Sequence, residues 1–420
     1  MKNRLILVIT LSLYSDLIKR LFNPKLSLAI IYILALLLLI SISAFKKNKN
    51  DSTNDYKRNS LNLLIIKSLL IFYTFHALAS LLITQNYEFT ILNYLYVGLP
   101  IGMMLAFYYK NPDLDEFKYF LYLFLLLMIP INIVGIIQFY FLPNFLISYN
   151  YSSSGGIIMR NFEEGIKVFT RHPSIFASAD RFANMAQLQF VFTLLYLTLM
   201  ENKKNITVII LGFLFSLSSI VISGARSKIL FVIIISILFL IYSQKDLFHR
   251  INKYGLIFAI FLLFSMLFIL FQNYLLEVSS INFFIRTWMS GNIFMRISEA
   301  LWMSLPFQGI SIFGYGLGTL LQGRPGEFGI YTLWYEGGIV FGTLILSTYL
   351  VFDILLIKKT IVSIKYKSDF IFILSISLFI LTTIAIFTGL SNIYEFSTGL
   401  ILSFCYAFLL KIDQYCIGSA

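Results

Sequence analysis

Twelve long apolar runs divide this chain, and they constrain its fold more than any other feature. A run of about 18 or more apolar residues crosses a bilayer as an α-helix, because a helix satisfies its own backbone hydrogen bonds in lipid. The sequence is 59% hydrophobic and only 12% charged, which excludes a soluble globular fold. We therefore predict an all-α, polytopic integral membrane protein whose residues 1–420 form a single transmembrane domain of about 12 helices. The predicted spans are 4–18, 26–45, 61–82, 91–109, 118–141, 183–200, 205–222, 228–243, 255–275, 337–357, 370–389 and 396–411.

The basic residues predict the orientation of these spans, because lysines and arginines collect in cytoplasmic loops. With both termini in the cytoplasm, the inner side holds 16 lysines and 3 arginines out of 32 basic residues. The short loop after the first run, which holds Lys19, Arg20 and Lys25, is an exception to this rule. Two connections on the outer face are long, at 142–182 and 276–336, and the others are short. A transporter built from repeated halves does not require this one-sided arrangement, and no internal repeat is visible.

The segment 283–342 differs from the apolar runs around it. It contains Arg286, Arg296 and Arg324, three glutamates and the glycine-rich sequence GYGLG at 314–318. Charged residues are costly in lipid, so they belong in a loop or a water-filled cavity, where they are functional by default. The glycines do not form a nucleotide-binding loop, because no predicted strand precedes them and no Lys-Ser/Thr follows. We interpret them as a tight turn and predict that this segment is the active-site loop.

Arginine and lysine are distributed differently along the chain. Arginine is favoured where a planar guanidinium binds phosphate through two hydrogen bonds, and it keeps its charge. Arg226 lies in a short turn, SGARSK at 223–228, so it either extends to the membrane surface or faces a cavity at headgroup depth. Salt bridges with outer carboxylates are the alternative role for these arginines. Beyond residue 150 the predicted outer side has two lysines and seven arginines: Arg160, Arg171, Arg181, Arg226, Arg286, Arg296 and Arg324.

The sequence contains no pattern that is typical of a metal or cofactor site. His172 has the chemistry of a base or a ligand, but it has no neighbouring histidine or cysteine to complete a metal site. The other histidines, His76 and His249, lie within the third predicted span and in an inner loop. Cys405 and Cys416 lie late and close together, which suggests neither a disulfide framework nor a metal site. We therefore predict no metal and no cofactor.

Four stretches of the chain resemble the O-antigen polymerase and O-antigen ligase (Wzy-type) superfamily, which assembles bacterial surface polysaccharides. Their order, spacing and sidedness agree with the family over most of the chain, although each motif alone is weak. They are INIVGIIQFYF (131–141), SGARSK (223–228), MRISEALWMSLPFQGISIFGYGLG (295–318) and YTLWYEGGIVFG (331–342).

The resemblance implies roles for individual residues. Arg226 and Arg296 are similar to the phosphate-facing arginines of the family, and Arg171 to the arginine of its first long loop. Family ligases carry a His-Asn pair nine residues before the final glutamate of the second loop. Here the position nine residues before Glu336 is Glu327, so the ligase signature is absent. This departure favours a polymerase and leaves the catalytic base open.

Three residues are candidates for that base, and the outer arginines are candidates for substrate binding. Glu327, Glu336 and His172 each have a side chain that accepts a proton from an acceptor hydroxyl. Arg286 and Arg324 join the three arginines already named as predicted phosphate ligands. Glu327 also has an alternative role, as the salt-bridge partner of Arg324 three residues earlier.

The resemblance implies a metal-independent, GT-C-like glycosyltransferase of the bacterial inner membrane. It would transfer a glycan from undecaprenyl pyrophosphate to a second lipid-linked repeat unit on the outer face. The expected partners are this lipid-linked oligosaccharide, membrane lipid, a flippase and a chain-length regulator, with no nucleic acid. An O-antigen ligase and a lipid-linked oligosaccharide flippase or permease are the alternatives.

Overall fold

The computed structural model describes most of the predicted helical regions. The described residues are 2–21, 24–43, 55–84, 87–140, 158–162, 166–171, 174–176, 179–199, 205–223, 226–242, 311–317, 329–366, 368–388 and 396–412. Eleven α-helices lie in these ranges: α1 (Lys2–Leu21), α2 (Pro24–Ser43), α3 (Asp55–Thr84), α4 (Tyr87–Lys110), α5 (Leu114–Tyr140), α6 (Ala179–Leu199), α7 (Ile206–Ser223), α8 (Arg226–Tyr242), α9 (Gly329–Lys365), α10 (Asp369–Thr388) and α11 (Phe396–Lys411). The same ranges include two strands, β1 (Ile158–Phe162) and β2 (Ile166–Arg171).

Each helix coincides with one predicted span, and the remaining predicted span, 255–275, lies outside the described residues. Within the described ranges, six helices are long and apolar enough to cross a membrane: α3, α4, α5, α6, α7 and α9. Shorter apolar stretches form α11 and most of α2 and α10. Helix α8 has only 17 residues, and α1 carries charged residues near both ends. The structure thus supports a multi-pass membrane protein, whereas 12 spans and a GT-C-like fold stay predictions.

Within the described residues, a β-hairpin departs from helical structure in a way that the sequence analysis did not predict. Strands β1 and β2 pair antiparallel, with Ile158 opposite Arg171 and an irregularity between Arg160 and Phe162. The hairpin lies inside the predicted outer loop 142–182, so the predicted all-α chain has a small β element there.

The connection between α4 and α5 shows how short turns join these helices. Asn111 ends α4 in a left-handed conformation with φ 54°, and its N–H donates to the carbonyl of Phe107 at 3.1 Å. Asp113 then caps α5, because its Oδ1 accepts the backbone N–H of Glu116 at 2.7 Å. The Glu116 carboxylate accepts the N–H of Asp113 in return, at 3.4 Å, in the pattern of a capping box.

The chain divides into two compact units. Unit 1 comprises Met1–Ser15, Lys25–Phe120 and Glu299–Ala420, and unit 2 comprises Asp16–Pro24 and Leu121–Ser298. The core of unit 1 includes an aromatic cluster between α5 and α11, where the rings of Phe117 and Phe408 stack with centroids 4.1 Å apart. Phe120 and Phe404 extend this cluster, with centroids 4.5 Å apart. The prediction of a single domain over the whole chain stays a prediction.

Contacts at the ends of helices in unit 1 agree with the alternating order of the predicted spans. At one end, the Asn62 side chain donates to the carbonyl of Leu410 at 3.2 Å, and the Lys411 ammonium lies 4.6 Å from the ring centroid of Tyr108. All four residues belong to ends that were predicted to lie on the inner side. At the other end, the N–H of Leu317, in the second long loop, donates to Ser80 at 2.9 Å. The contacts are consistent with the relative sidedness of these ends, whereas the identity of the cytoplasmic face stays a prediction.

Buried polar side chains connect three helices of unit 2. The Asn132 amide of α5 donates to Gln189 of α6 at 2.9 Å, and its oxygen accepts the hydroxyl proton of Ser219 in α7 at 2.7 Å. All three side chains are buried. Hydrogen bonds of this kind join helices in lipid, where apolar contact alone gives little preference for one partner.

An ion pair joins α1 to the start of α6 in the same unit. One Arg181 nitrogen, Nη1, donates to both carboxylate oxygens of Asp16, at 2.8 and 2.9 Å. Asp16 is buried, and the ammonium of Lys19 lies 3.5 Å from it. Salt bridging was the alternative role for the outer arginines, and Arg181 has that role.

Candidate functional site

Helix α9 is broken near its start. Gly338 has φ 65° and ψ −169°, a conformation that only glycine adopts readily and that interrupts the helix. The part after the break, 339–365, is about 40 Å long, so it can cross the hydrocarbon core without the residues before Gly338. A break in a membrane helix leaves backbone groups without partners, and these groups need protein or water to satisfy them.

Residues 311–317, which we call the crossing segment, run across the break and supply those partners. On one side of Gly338, the N–H groups of Tyr315 and Gly316 donate to the carbonyls of Tyr335 and Glu336, at 2.9 and 3.0 Å. On the other side, Ile339 and Val340 donate to the carbonyls of Ser311 and Ile312, at 3.3 and 3.1 Å. Four backbone hydrogen bonds therefore join the glycine-rich segment to both ends of the broken helix.

Two glycines make this crossing possible. Gly314 has φ 77°, and a Cβ atom placed there would overlap the carbonyl of Glu336 and the nitrogen of Gly338. A Cβ atom at Gly338 would in turn overlap the nitrogen of Gly314 and the carbonyl of Ile312. The two backbones approach each other at positions where neither residue can carry a side chain. The described part of the glycine-rich sequence, 314–317, is thus shaped to fit against α9, whereas the tight turn over 314–318 stays a prediction.

Helix α3 supports the crossing with two side chains one helical turn apart. Nε2 of His76 lies 3.1 Å from the carbonyl oxygen of Glu336, and the imidazole stacks on Phe341 with centroids 5.5 Å apart. The hydroxyl of Ser80 accepts the N–H of Leu317 at 2.9 Å and donates to the carbonyl of His76 at 2.7 Å. His76 and Ser80 are both buried.

These contacts bring together the two ends of the connection that joins the crossing segment to Tyr335 in α9. The chain leaves the crossing segment at Leu317 and returns to it at Tyr335, so the two ends of the connection 318–334 lie close together, and the last part of this connection, from Gly329, is the start of α9. Arg324 and Glu327 belong to this connection by sequence, and Glu336 follows its last residue by two positions. The Tyr315 and Tyr335 rings stack at that end, with centroids 4.6 Å apart.

Glu336 is the one predicted site residue whose side chain is described. It is 9% exposed, and it directly precedes the Gly337-Gly338 pair of the break. A buried carboxylate is costly unless it has a function or a partner. Arg171 is the last residue of β2 and Arg226 the first residue of α8, and only their backbone is described. The other predicted residues, Glu327, His172, Arg286, Arg296 and Arg324, lie outside the described residues.

A second buried carboxylate lies further along α9. Asp353 is 7% exposed, and its Oδ2 accepts the hydroxyl proton of Thr383 in α10 at 3.4 Å. It lies 17 residues after Glu336, which corresponds to about 25 Å along a helix, so the two carboxylates belong to different sites. Among the described residues, no group of three or more His, Cys, Asp or Glu side chains is arranged to hold a metal ion.

The sequence analysis did not assign His76 to the site, because it lies in an apolar run. The signal was nevertheless present, since a histidine inside a predicted membrane span is functional by default. Its partner was not visible, because Glu336 lies 260 residues later in the chain.

Comparison with known proteins does not assign the chain to a family. No family model and no curated protein matches this sequence. The resemblance to the O-antigen polymerase and ligase superfamily therefore depends on the four stretches quoted above, and what it implies is a proposal.

Proposed function

We propose that this chain is a polysaccharide polymerase of the bacterial cytoplasmic membrane. It transfers a growing glycan from undecaprenyl pyrophosphate to the non-reducing end of a second lipid-linked repeat unit, on the outer face. The observation that carries this proposal is the break in α9, where the buried Glu336 lies between the crossing segment and α3. By sequence, Arg324 and Glu327 precede it by only 12 and 9 residues. Acidic and basic side chains thus occur together in a multi-pass membrane protein, in the segment where the sequence predicts the active site.

The proposed reaction needs a base and a stabilised leaving group. The acceptor hydroxyl attacks the anomeric carbon of the donor glycan, and the bond between that carbon and the phosphate oxygen breaks. The electron pair of this bond leaves with undecaprenyl pyrophosphate, and the hydroxyl proton passes to a carboxylate or a histidine. Glu327 and Glu336 are the candidates in the second loop, and His172 is the candidate in the first.

Fixed positive charge would stabilise the departing pyrophosphate. Guanidinium groups bind phosphate oxygens through paired hydrogen bonds and remain charged at every physiological pH. Preorganised charge where negative charge develops is a large contribution to catalysis, and it needs no metal ion. Arg171, Arg226, Arg286, Arg296 and Arg324 are the proposed phosphate ligands.

The proposal can be tested with the purified full-length chain in lipid nanodiscs. The substrate is undecaprenyl-pyrophosphate-linked repeat units, extracted from cells that lack this chain. We expect a ladder of lengthened glycans, a large loss with Arg226→Lys or Arg296→Lys, and little change with Arg250→Lys, on the predicted inner side. Lysine keeps the charge but loses the paired hydrogen bonds. Normal glycan lengths in both outer variants would contradict the proposed pyrophosphate ligands.

The base is identified by a second set of variants in the same assay. Glu327→Gln and Glu336→Gln each keep the shape of the side chain and remove its ability to accept a proton. We expect one of them to abolish polymerisation at an unchanged protein level. If Arg324→Ala restores the activity that Glu327→Gln loses, Glu327 is a salt-bridge partner and not the base. Activity in both glutamine variants would leave His172 as the remaining candidate.

The break in α9 also favours a second function, a lipid-linked oligosaccharide flippase or permease. Discontinuous membrane helices are typical of secondary transporters, whose substrates bind at the broken ends. Movement of the repeat unit between leaflets of the nanodisc lipid or of a proteoliposome, without any lengthened product, would support this function. Transfer that occurs only when a lipid A core acceptor is supplied would instead support a ligase.

A further inference from the structure

The carbonyl oxygen of Glu336 has two donors in the break of α9. Gly316 donates its backbone N–H at 3.0 Å, and Nε2 of His76 lies 3.1 Å away on the side of α3. A carbonyl oxygen has two lone pairs, so both donors can bind it at once. One donor comes from the crossing segment and the other from α3, and the broken helix is held between them.

The partner of His76 determines which ring nitrogen carries the proton. A carbonyl oxygen only accepts hydrogen bonds, so Nε2 bears the hydrogen and donates it. The other nitrogen, Nδ1, has no hydrogen-bond partner among the described residues, although the side chain is only 2% exposed. A phenylalanine would fill the same space and stack on Phe341 without a buried, unpartnered acceptor. The Nε2 hydrogen bond therefore explains why this position is a histidine.

We propose that His76 is a positioning residue for the transfer reaction. Its Nε2–H holds the end of the first part of α9 against the crossing segment. In doing so it sets the position of the Glu336 backbone, and with it the direction of the Glu336 side chain, at the break. The effect on catalysis depends on the proposed function, whereas the effect on the break of α9 does not.

Two substitutions separate the hydrogen bond from the ring. His76→Phe keeps the aromatic ring and its stacking on Phe341 but removes the donor. His76→Gln removes the ring and Nδ1 but keeps an N–H donor of similar reach. Both variants are measured in the full-length chain in nanodiscs, by backbone amide hydrogen exchange and by the kinetics of glycan lengthening on the extracted lipid-linked repeat units.

We expect His76→Phe to speed exchange of the Gly316, Ile339 and Val340 amides by about tenfold, because their shared arrangement loses one hydrogen bond. Exchange in α6, in the other unit, remains unchanged, which shows that the variant is folded. The same variant lowers kcat about tenfold, with KM for the lipid-linked donor within about twofold. His76→Gln restores both the exchange rates and kcat to within about threefold of the unmodified chain.

Two results would overturn the proposal. In the first, the His76→Phe variant has the same amide exchange rates and the same kcat as the unmodified chain. In the second, His76→Gln loses as much kcat and as much protection from amide exchange as His76→Phe, which would show that the ring and not the hydrogen-bond donor is required. If the unmodified chain lengthens no glycan, the polymerase function fails, and the exchange rates alone decide whether His76 holds the break.

Discussion

Replacing Gly338 by alanine tests whether the break in α9 is an essential part of the fold. In the present conformation, a Cβ atom at this position would overlap the nitrogen of Gly314 and the carbonyl of Ile312. The variant chain has two responses, because it can keep the break under strain or straighten α9 and displace the crossing segment. Alanine is the residue that favours helix most, which supports the second response.

The structure allows an estimate of the loss of stability. A side chain at φ 65° and ψ −169° costs about 1–3 kcal/mol, because only glycine occupies this region without strain. Displacing the crossing segment removes its four hydrogen bonds to α9, and a straight helix regains two when Ile339 and Val340 donate to Tyr335 and Glu336, so the net loss is two bonds at about 1 kcal/mol each. Either response therefore lowers the free energy of unfolding by about 1–3 kcal/mol.

The matched control is Gly102→Ala in α4, in the same unit. Its added Cβ would meet only the flexible end of Leu39, at 3.3 Å, and alanine is favourable within a helix. We expect Gly338→Ala to unfold at a lower temperature than Gly102→Ala in the same detergent, with faster amide exchange at Tyr315 and Gly316. Equal unfolding temperatures and unchanged exchange at these two amides would refute the argument that the break depends on glycine.

Two further predictions concern the ion pair of unit 2 and the outer loops. Arg181→Ala should lower the free energy of unfolding by about 2 kcal/mol, because Asp16 is buried and Lys19 compensates only in part; adding Asp16→Asn should recover part of this loss in thermal unfolding. An additive double variant would show that the pair contributes no coupling. Alkaline phosphatase fused at Ser153 or Gly326 should be active, because both positions lie in loops predicted to face outward, and cytoplasmic location of either fusion would contradict the proposed reaction.

The positions of the helices could be predicted from the sequence because membrane helices have a strong local signal. A span needs about 20 apolar residues in one run, so hydropathy alone locates it. The start of α9 was predicted less accurately, since the predicted span began at Gly337 and the helix begins at Gly329. The Gly337-Gly338 pair suggested the entry to a helix, whereas it is the place where a helix breaks and continues. Hydropathy does not distinguish these two cases, because both have glycines beside an apolar run.

The contacts of the site could not be predicted from the sequence, because they join distant residues. The pairing of Gly314 with Gly338 depends on two backbones coming within contact distance. A glycine in the sequence does not indicate which distant segment will pack against it. The hairpin of β1 and β2 was also missed. Its strands are only 5 and 6 residues long, so the alternation of side chains in Ile166–Arg171 is too short to outweigh the surrounding loop.

The three-helix contact of Asn132, Gln189 and Ser219 has a consequence for the rotation of α7 about its own axis. A smooth apolar helix in lipid turns with little resistance, since one apolar face is equivalent to another. A hydrogen bond from Ser219 to a buried amide removes that freedom, and Ser219 lies only one turn before the end of α7 at Ser223. A rotation of 30° about the helix axis would shift each Cα atom of α7 by about 1.2 Å, and it would displace the end of the helix by the same distance. The polar contact inside unit 2 therefore fixes the rotation of α7 and the direction of its last turn, at Ser223.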